Sequence, residues 1–567
     1  MSTAPTREKT LHLCNSITRA AVLAATLLSS HAVVAQTRTD PGAILQQQQE
    51  NLERRQREER LQQVPQAPRI STPSPGDGAA ASTEKNIRVE RFAIDRSEIL
   101  PAAEIDAILT PLQGTVVSLQ DLFDAVAAIN RLYDARHQPT ARAILPPQTV
   151  SDGTVRIRLV EARLGELRVG GTTWLRDDFI PRRISLKPGE LMSVPLLEAD
   201  LIRFNRLHET QLRAGVVAGK QFGTTDVEIT AVEPPRQSYT LFADNAGRDT
   251  IGEGRLGLIA RYTNPFGVDD SLQVLGTATE GSKNVSLAYS AAVSRSDLRM
   301  DASLSVGTVK VIAGTFAPLD ITGESRDFSL GLSKPLEVSL ERLWKIYGRW
   351  SMRDSRSEFG GFQQSDLDLR LITLGVSGEA RNERRAWYTD HAIAAGIPYL
   401  GGEQSFAYYR GSGTRFDRLS ERLQLVLRGG LQFSDTRFLP ASEQFQIGGA
   451  YTVRGFSEGL LSGRSGYFGS VELRLAQTIA PQTREGVNGT TLQWVAFIDH
   501  GGALPYRQGI LKEVSKDDFL TSAGVGMLFE LGKRLSGRLS LAQPIHGNPA
   551  EVRDRRPRAH FSLSIAL

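Results

Sequence analysis

The sequence predicts a membrane all-β fold, a closed antiparallel barrel of about 16 strands, preceded by two small α+β domains and a polar helix. The barrel is assigned to residues 236–567, where short alternating runs are separated by clusters of Gly, Asn, Asp and Ser. At about 20 residues for each strand and its loop, a region of this length holds about 16 strands. A strand that faces lipid must pair all its backbone groups with its neighbours, and only closure of the sheet achieves this.

Alternation is clearest in three stretches of the C-terminal region. Leu298–Gly307 places an apolar residue at every second position, and Val471–Leu475 alternates its apolar residues with Glu472 and Arg474. The chain ends on a further alternating run, Phe561–Leu567. A soluble β-sandwich would alternate in the same way, so the pattern alone leaves both architectures open. An export signal favours the barrel, as does the lack of a later apolar stretch of ~18–20 residues.

The N-terminus is typical of an exported protein. Basic residues precede the apolar run Ala20–Leu28, and Ala32–Ala35 ends on small residues at a cleavage point before Gln36. Residues 1–35 are therefore predicted to be a signal peptide, with an uncleaved membrane anchor as the alternative. Cleavage would remove Cys14, the single cysteine of the chain. A mature chain without cysteine suits an oxidising compartment.

Composition and charge exclude several classes of function. The chain has 67 basic and 63 acidic residues, a net charge of +4, whereas a nucleic-acid partner usually leaves a larger, clustered basic excess. The eight histidines show no metal-ligand spacing, and one cysteine cannot form a zinc cluster or an internal disulfide. The sequence contains no nucleotide-binding loop and no nucleophile–base pair. We therefore expect no catalytic residues, no metal, no cofactor and no nucleic-acid partner.

Residues 36–64 are predicted to form a polar helix. Asp40 can cap the free amides, Pro41 is tolerated at the first helical position, and Gln46–Gln63 consists of strong helix formers. The sparse apolar residues make no continuous stripe, so this helix does not bury against an apolar core. Composition alone favours an exposed helix over one lodged in a polar cavity. Residues 65–86, rich in Pro, Ser, Gly and Ala, are predicted to be a flexible linker.

A weak internal repeat lies between this linker and the barrel. Gly153–Glu161 alternates as a strand should, and Val227–Glu233 does the same one repeat length further along. Upstream of each strand, Ile129–Asp134 matches Phe204–Glu209. Each copy is predicted to run strand, helix, helix, strand, strand.

The two copies, residues 87–163 and 164–235, resemble POTRA domains, the polypeptide-transport modules found before certain outer-membrane barrels. The alternative is a pair of generic α+β modules that only space other parts. A small mixed sheet has an exposed edge, and such an edge can accept an extended peptide by strand addition. The sequence does not show which edge is open.

Two short motifs carry a more specific resemblance. Val453-Arg454-Gly455-Phe456 lies in a Gly-rich stretch between strand patterns, and Phe497-Ile498-Asp499-His500-Gly501 ends a predicted strand. Each alone could be an ordinary turn. Together, and after two POTRA-like copies, they resemble the loop motif and the barrel-wall motif of the POTRA-plus-barrel superfamily. That resemblance implies that a loop around residues 446–466 folds back into the pore and that its arginine, Arg454, pairs with Asp499.

Within that superfamily the chain is similar to the two-partner secretion transporters of the haemolysin/filamentous-haemagglutinin type. The polar helix, the linker and the two POTRA-like copies agree with this family, and so does a barrel-start motif of Asp244, Asn245 and Gly247. The resemblance implies that the polar helix is a plug inside the pore. It also implies a location in the outer membrane of a Gram-negative bacterium, with the POTRA-like domains in the periplasm.

The function implied by this resemblance is export of a large partner protein through the barrel, after the POTRA-like domains have bound it in extended form. The expected partners are a secreted protein with a β-helical N-terminal secretion domain, outer-membrane lipid, and the barrel-assembly machinery. A barrel-insertion factor of the same superfamily is the first alternative. A passive porin or a secreted adhesin would leave the repeats or the two motifs unexplained.

Overall fold

The computed structural model describes residues 40–62, 67–71, 83–150, 152–398, 401–480, 490–504, 515–532, 534–547 and 556–567. The predicted signal peptide and Cys14 lie outside these ranges, as do parts of the predicted linker. No helix within the described ranges is long and apolar enough to cross a membrane.

The described chain begins with a long helix, α1 (Pro41–Gln62), and a two-residue strand, β1 (Ile70–Ser71). Asp40 caps α1, because its Oδ1 accepts a hydrogen bond from the backbone N–H of Ala43 at 2.7 Å. At 1.5 Å per residue the 22-residue helix is about 33 Å long, enough to reach through a membrane inside a pore. β1 belongs to the predicted linker, so part of that segment is ordered by strand pairing.

The first small domain packs two helices against short strands. A capping box between Ser118 and Asp121 starts the longer helix, whose residues Ile129 and Tyr133 are fully buried in the domain core. The predicted order of strand, helix, helix, strand and strand is present, and two further strands form an additional two-stranded sheet. One of them, Thr115–Ser118, is rich in β-branched residues, which favour strands. The elements are β2 (Lys85–Val89), β3 (Arg91–Ile94), α2 (Ala102–Leu109), β4 (Thr115–Ser118), α3 (Leu119–Ala135), β5 (Ala141–Ile144) and β6 (Thr154–Glu161), in sheets β3-β6-β5 and β2-β4.

The second small domain has one α-helix where the repeat predicts two. The predicted first helix is replaced by a 3-10 turn, Pro181–Arg183, because prolines at 181 and 188 and a glycine at 189 interrupt any helix there. The remaining helix buries Leu197 and Leu201 against the sheet. The elements are β7 (Arg163–Gly170), α4 (Val194–Leu207), β8 (Gln211–Ala218) and β9 (Thr224–Val232), and the linker strand joins them in the order β1-β8-β9-β7.

Sixteen antiparallel strands then close a barrel, which confirms the predicted fold class and strand number. The first and last strands meet in the shortest pairing, from Thr240 to Asp244 on one and from Ser562 to Ala566 on the other. The strands are β10 (Gln237–Asp244), β11 (Arg255–Thr263), β12 (Ser271–Ala278), β13 (Ser282–Ala292), β14 (Arg299–Lys310), β15 (Ile321–Val338), β16 (Arg342–Phe359), β17 (Phe362–Arg381), β18 (Arg385–Gly396), β19 (Phe406–Arg418) and β20 (Leu423–Phe433). After a hairpin of β21 (Phe445–Ile447) and β22 (Leu461–Gly463) the barrel continues with β23 (Ser465–Ala480), β24 (Thr490–Leu504), β25 (Phe519–Leu531), β26 (Leu535–His546) and β27 (Arg558–Ala566).

Alternation sorts the barrel side chains into an outer apolar face and an inner polar one. On β23, Leu473 and Leu475 are 45% and 49% exposed on the outside, whereas Glu472 and Arg474 between them are 2% and 1% exposed. This is the arrangement expected of strands that have lipid on one side and a filled polar lumen on the other. The lumen is filled by α1 and by the hairpin β21–β22 with its flanking chain, residues 434–464, here called the inward loop.

Candidate functional site: the filled lumen

The two ends of the barrel differ, and this difference orients the site. β10 begins and β27 ends at the end that faces the second small domain, here called the domain end, and the inward loop starts from the opposite end. At the domain end, His208 Nδ1 lies 2.8 Å from Asp269 Oδ2, and its Nε2 lies 3.3 Å from Asp297 Oδ1. Asp269 and Asp297 belong to barrel turns, so this histidine ties the second small domain to the barrel.

The inward loop is held to the barrel wall by Arg454 and Asp499. Arg454 Nε donates to Asp499 Oδ2 at 2.6 Å, and Nη2 donates to Asp499 Oδ1 at 2.7 Å. The backbone N–H of Arg454 also donates to Asp499 Oδ2, at 3.1 Å. Both side chains are buried. The structure therefore brings together the two residues that the sequence motifs paired, in the bidentate geometry that makes arginine–carboxylate contacts directional.

The other motif residues surround this pair. The ring of Phe497 lies under the Arg454 guanidinium, with its centroid 3.4 Å from Cζ. Gly455 has φ +88°, a conformation that favours glycine, and its N–H donates to His560 Nε2 at 2.9 Å. A side chain at Gly501 would meet the carbonyl oxygen of Tyr467 at 2.7 Å, so this position on β24 also requires glycine.

The rest of the inward loop is fixed by apolar packing. Val453 and Phe456, on either side of the Arg454–Asp499 pair, are 0% and 3% exposed. They belong to a buried cluster that joins the loop to the barrel wall: Phe445, Ile447, Val453, Phe456, Leu460, Phe468, Ala503 and Leu520. Such a cluster resists exchange with water because its apolar area would be exposed.

Helix α1 is held in the lumen mainly by polar contacts. Gln46 Oε1 accepts from Arg353 at 2.7 Å, and Gln47 Oε1 accepts from Arg248 at 2.7 Å. Glu50 is paired with Arg410 on β19. The helix therefore does bury its polar faces, but against the charged inner wall of a barrel. The location in a polar cavity explains how a helix without an apolar stripe can be ordered.

Near the C-terminal end of α1, Glu58 is bound by three arginines of the wall. Its Oε1 accepts from Arg474 at 2.6 Å and from Arg538 at 3.2 Å, and its Oε2 accepts from Arg428 at 3.2 Å. Glu472 is the other carboxylate of this cluster: it accepts from Arg474 at 2.6 Å and is also paired with Arg428.

The same Glu472 reaches the inward loop. Arg454 Nη1 donates to Glu472 Oε1 at 2.7 Å. A single buried carboxylate thus contacts both the arginine that anchors the loop and two of the arginines that hold the helix.

Apolar packing of α1 occurs at its two ends: Leu61 in the last turn packs with Phe416 and Val426, and the first turn is packed more extensively. Ile44 is 1% exposed and packs with Ile251 and Val309 at the loop end of the barrel. Glycines on the wall make room for this turn, since a Cβ at Gly307 would meet the side chain of Leu45 at 2.6 Å. The helix is therefore held at the loop end by close apolar packing, and nearer the domain end by the ion pairs of Glu58 together with the packing of Leu61.

The barrel-start motif closes the seam between the first and last strands. Asp244 is buried and pairs with Arg255 on the next strand, at 2.8 Å. Asn245 Nδ2 donates to the carbonyl of Ala559 at 2.8 Å, and its Oδ1 accepts from the N–H of Phe561 at 2.9 Å. The third residue of the motif, Gly247, donates from its N–H to Glu253 at 2.9 Å within the first loop.

The sequence motifs locate the loop anchor and the seam, and they miss the residues that hold the helix. Glu58, Arg428 and Arg538 belong to no motif. The signal that could have found the wall residues is the alternation of β23, which places Glu472 and Arg474 on the inner face. His208 was also missed, because nothing in its sequence context distinguishes a domain contact from a surface histidine. In the described residues no group of three or more His, Cys, Asp or Glu side chains is placed to hold a metal ion.

The second small domain presents a partly covered sheet edge below the barrel. β1 pairs in parallel with the edge strand β8 at Ala214 and Gly215. The N–H of Ala214 donates to the carbonyl of Arg69 at 3.2 Å. The linker thus occupies two of the eight positions of this strand.

Comparison with known families gives two matches. The family described as haemolysin secretion/activation protein ShlB/FhaC/HecB matches residues 223–528, and the POTRA domain of ShlB type matches residues 87–162. The outer membrane transporter CdiB of Escherichia coli O6:K15:H31 (strain 536 / UPEC) is 24% identical over 530 residues, covering 87% of this chain and 86% of CdiB. The heme/hemopexin transporter protein HuxB of Haemophilus influenzae (strain 86-028NP) is 23% identical over 468 residues, covering 78% and 81%.

Solved structures of the same architecture extend this similarity. CdiB from Escherichia coli superimposes with a TM-score of 0.65 at 21% identity, covering 93% of this chain and 98% of that chain. BamA from Haemophilus ducreyi lacking POTRA domains 1-3 gives a TM-score of 0.56 at 13% identity, covering 85% and 100%. At these identities the superpositions show a shared fold.

Proposed function

Since this chain belongs to the family of haemolysin secretion/activation proteins and is an outer-membrane transporter of the two-partner secretion type, we propose that its partner leaves the cell through the lumen that α1 and the inward loop now fill. The observation that carries this proposal is the way α1 is held. Its contacts along most of its length are hydrogen bonds and ion pairs, which water and a passing polypeptide can replace.

The first step is docking of the partner on β8 in the periplasm. An edge strand offers a row of unpaired backbone groups, and an extended peptide can add to it as a further strand. Ala214 points its N–H at the linker, and the alternation of the strand points the N–H of Ala218 to the same side. A pairing of only two residues is weak, so a longer partner segment would displace β1.

Displacement of β1 would act on the plug. Residues 63–69 join the end of α1 to β1, so a linker released from β8 gives the helix slack to slide toward the domain end. Docking of the partner and opening of the lumen are thereby linked through one continuous piece of chain. The inward loop stays anchored by the Arg454–Asp499 pair and lines the path.

The test is a substitution that removes one outward N–H of β8 and leaves the pairing with β9 intact. In Ala218→Pro the ring replaces an exposed side chain at the end of the strand, and Ala218→Ser is the matched control because it keeps the N–H. Each variant is co-expressed with the partner protein that the transporter exports. We expect the proline variant to retain the partner in the periplasm and the serine variant to export it. Equal export by both, with equal amounts of assembled barrel, would contradict docking on β8.

We further propose the identity of the other partners in general terms. The exported protein would carry a β-helical N-terminal secretion domain, whose extended precursor suits strand addition. Outer-membrane lipid would surround the apolar outer face, on which Leu473, Val525 and Leu541 are exposed. The barrel-assembly machinery would insert the chain, as a closed sheet cannot cross a membrane as separate strands. Purification of the full chain with its bound lipids, and depletion of the assembly machinery, would test these two points.

A further inference from the structure

The three arginines that hold Glu58 form a compact basic site on the inner wall of the barrel. They come from three strands, Arg428 from β20, Arg474 from β23 and Arg538 from β26. The side chain of Arg474 is 1% exposed and that of Arg428 is 12% exposed. Arg538 is 28% exposed, so the site combines a buried guanidinium group with two that are more accessible from the lumen. The sequence alternation requires only that side chains in these positions be polar.

Part of the negative charge in this site is supplied by Glu58 of α1, the helix that leaves the lumen in the proposed mechanism. With α1 in place, Glu58 and Glu472 together face the arginines, and Glu472 also serves Arg454. When α1 moves out, Glu472 alone remains among these guanidinium groups. An excess of positive charge next to a low-dielectric wall attracts anions strongly.

Arg474 has donor capacity beyond its present partners. Its Nε and Nη2 donate to Glu472 and its Nη2 also reaches Glu58. Within the described part of the chain its buried Nη1 has no hydrogen-bond partner. Because a guanidinium group binds a carboxylate best through two parallel hydrogen bonds, Arg474 can accommodate a second carboxylate more fully than it accommodates Glu58.

From this geometry we propose that Arg428, Arg474 and Arg538 are a carboxylate-binding site of the pore, occupied by Glu58 in the plugged state and by acidic side chains of the exported polypeptide in the open state. The inference rests on the proposed route through the lumen. The site lies toward the domain end, near the C-terminal end of α1, so a polypeptide arriving from the periplasm meets it early. Glu58 then acts as a resident substitute for an acidic side chain of the partner.

The test uses the full chain in planar lipid bilayers, with Glu58→Gln as the starting variant. This nearly isosteric change leaves the arginines without their helical partner, so the open-pore current should rise. An oligoglutamate peptide is then added from the domain side, and an oligolysine peptide of equal length serves as the comparison. We expect oligoglutamate to block the current and oligolysine not to do so.

Second substitutions locate the block. Adding Arg538→Gln or Arg428→Gln should raise the blocking concentration of oligoglutamate about tenfold, the effect of losing one charge-assisted hydrogen bond. Arg349→Gln is the matched control, since Arg349 lies on the inner face of β16 away from the site. Heat-modifiable migration shows that each variant has assembled. Equal block by oligolysine would overturn the site because the block would not depend on negative charge. An equal loss of block in Arg349→Gln would overturn it in favour of a general basic lumen.

Export of the partner separates this inference from the proposed function. If the Glu58→Gln chain exports its partner and oligoglutamate does not block it, the carboxylate site is wrong and the route through the lumen stands. If oligoglutamate blocks as expected while a partner chain arrested in transit cannot be cross-linked to the lumen, the site stands and the route is wrong. A cross-link between an arrested partner chain and the side chain introduced by Arg538→Cys would support both.

Discussion

Two segments fill the lumen of this barrel, the inward loop and helix α1, and the side chains that hold them differ in kind. The loop is fixed by a buried apolar cluster together with the bidentate pair of Arg454 and Asp499. The helix is fixed along most of its length by hydrogen bonds and ion pairs, such as those of Gln46 and Glu58, and by apolar packing at its two ends.

This difference teaches which of the two segments is built to move. Removing the loop would expose its apolar cluster to water and would leave the buried carboxylate of Asp499 without its partner. Contacts with water do not compensate for either free-energy cost. Removing the helix exchanges most of its polar contacts for contacts with water at a small net cost, and its buried apolar clusters lie at its two ends. The contrast supports the proposed mechanism, in which the loop stays in place and the helix leaves the lumen.

Breaking the loop anchor should have the largest effect. Arg454→Ala leaves the buried carboxylate of Asp499 without its partner, which costs about 3–5 kcal/mol, and Asp499→Ala removes the bidentate contact of Arg454 and leaves it with Glu472. In both variants export should fall more than tenfold while the barrel still assembles. Arg454→Lys is the matched control for charge, because lysine keeps the charge and loses the bidentate geometry, and it should give an intermediate result. The measurements are partner protein in the medium and heat-modifiable barrel in the membrane. Normal export by both alanine variants would remove this pair from the mechanism.

The two regions also differ in how much of them the sequence reveals. The loop anchor consists of residues in two short contiguous motifs, and the family that these motifs resemble implied the pairing of Arg454 with Asp499. The helix anchor joins Glu58 to residues several hundred positions away. Alternation predicts that Arg474 faces inward, but it does not predict what it meets, because that depends on the closure of the barrel and on the depth at which the helix sits.

Two further features, the pairing of β1 and the missing helix of the second small domain, could not be predicted from the sequence for local reasons. The pairing of Ile70 and Ser71 with β8 involves too few residues to leave a pattern in a Pro-rich linker. In the second small domain the repeat suggested a helix, and the prolines around Pro181 prevent it. The fold class and the strand number were predictable because alternation and length determine them over many residues. Composition predicted a helix after residue 40 but favoured an exposed one, and only the family resemblance implied that this helix is a plug.

Disrupting the apolar packing at the first turn of α1 should have the next largest effect. Ile44→Asp places a carboxylate against Ile251 and Val309, where the wild-type side chain contributes about 1.5–3 kcal/mol by burial. The resting helix should loosen, and the open-pore conductance of the purified chain should rise severalfold. Glu53→Gln changes a side chain of the same helix that is 54% exposed, and it should leave the conductance unchanged. A closed pore in Ile44→Asp would mean that the polar contacts suffice as the seal.

Loosening the contact between the second small domain and the barrel should have the smallest effect. His208→Ala removes the link to the turns at Asp269 and Asp297 and the packing of the imidazole on Phe204. Because the arginines Arg183 and Arg203 still bind Asp297, the domain should stay attached. Loss of about 1 kcal/mol of hydrogen bonding should reduce export roughly fivefold or less. His137→Ala, in the first small domain, controls for the loss of a histidine. Export as low as that of Asp499→Ala would show that positioning of β8 matters as much as the anchored loop, and the contrast between fixed and movable parts would then have to include the domain.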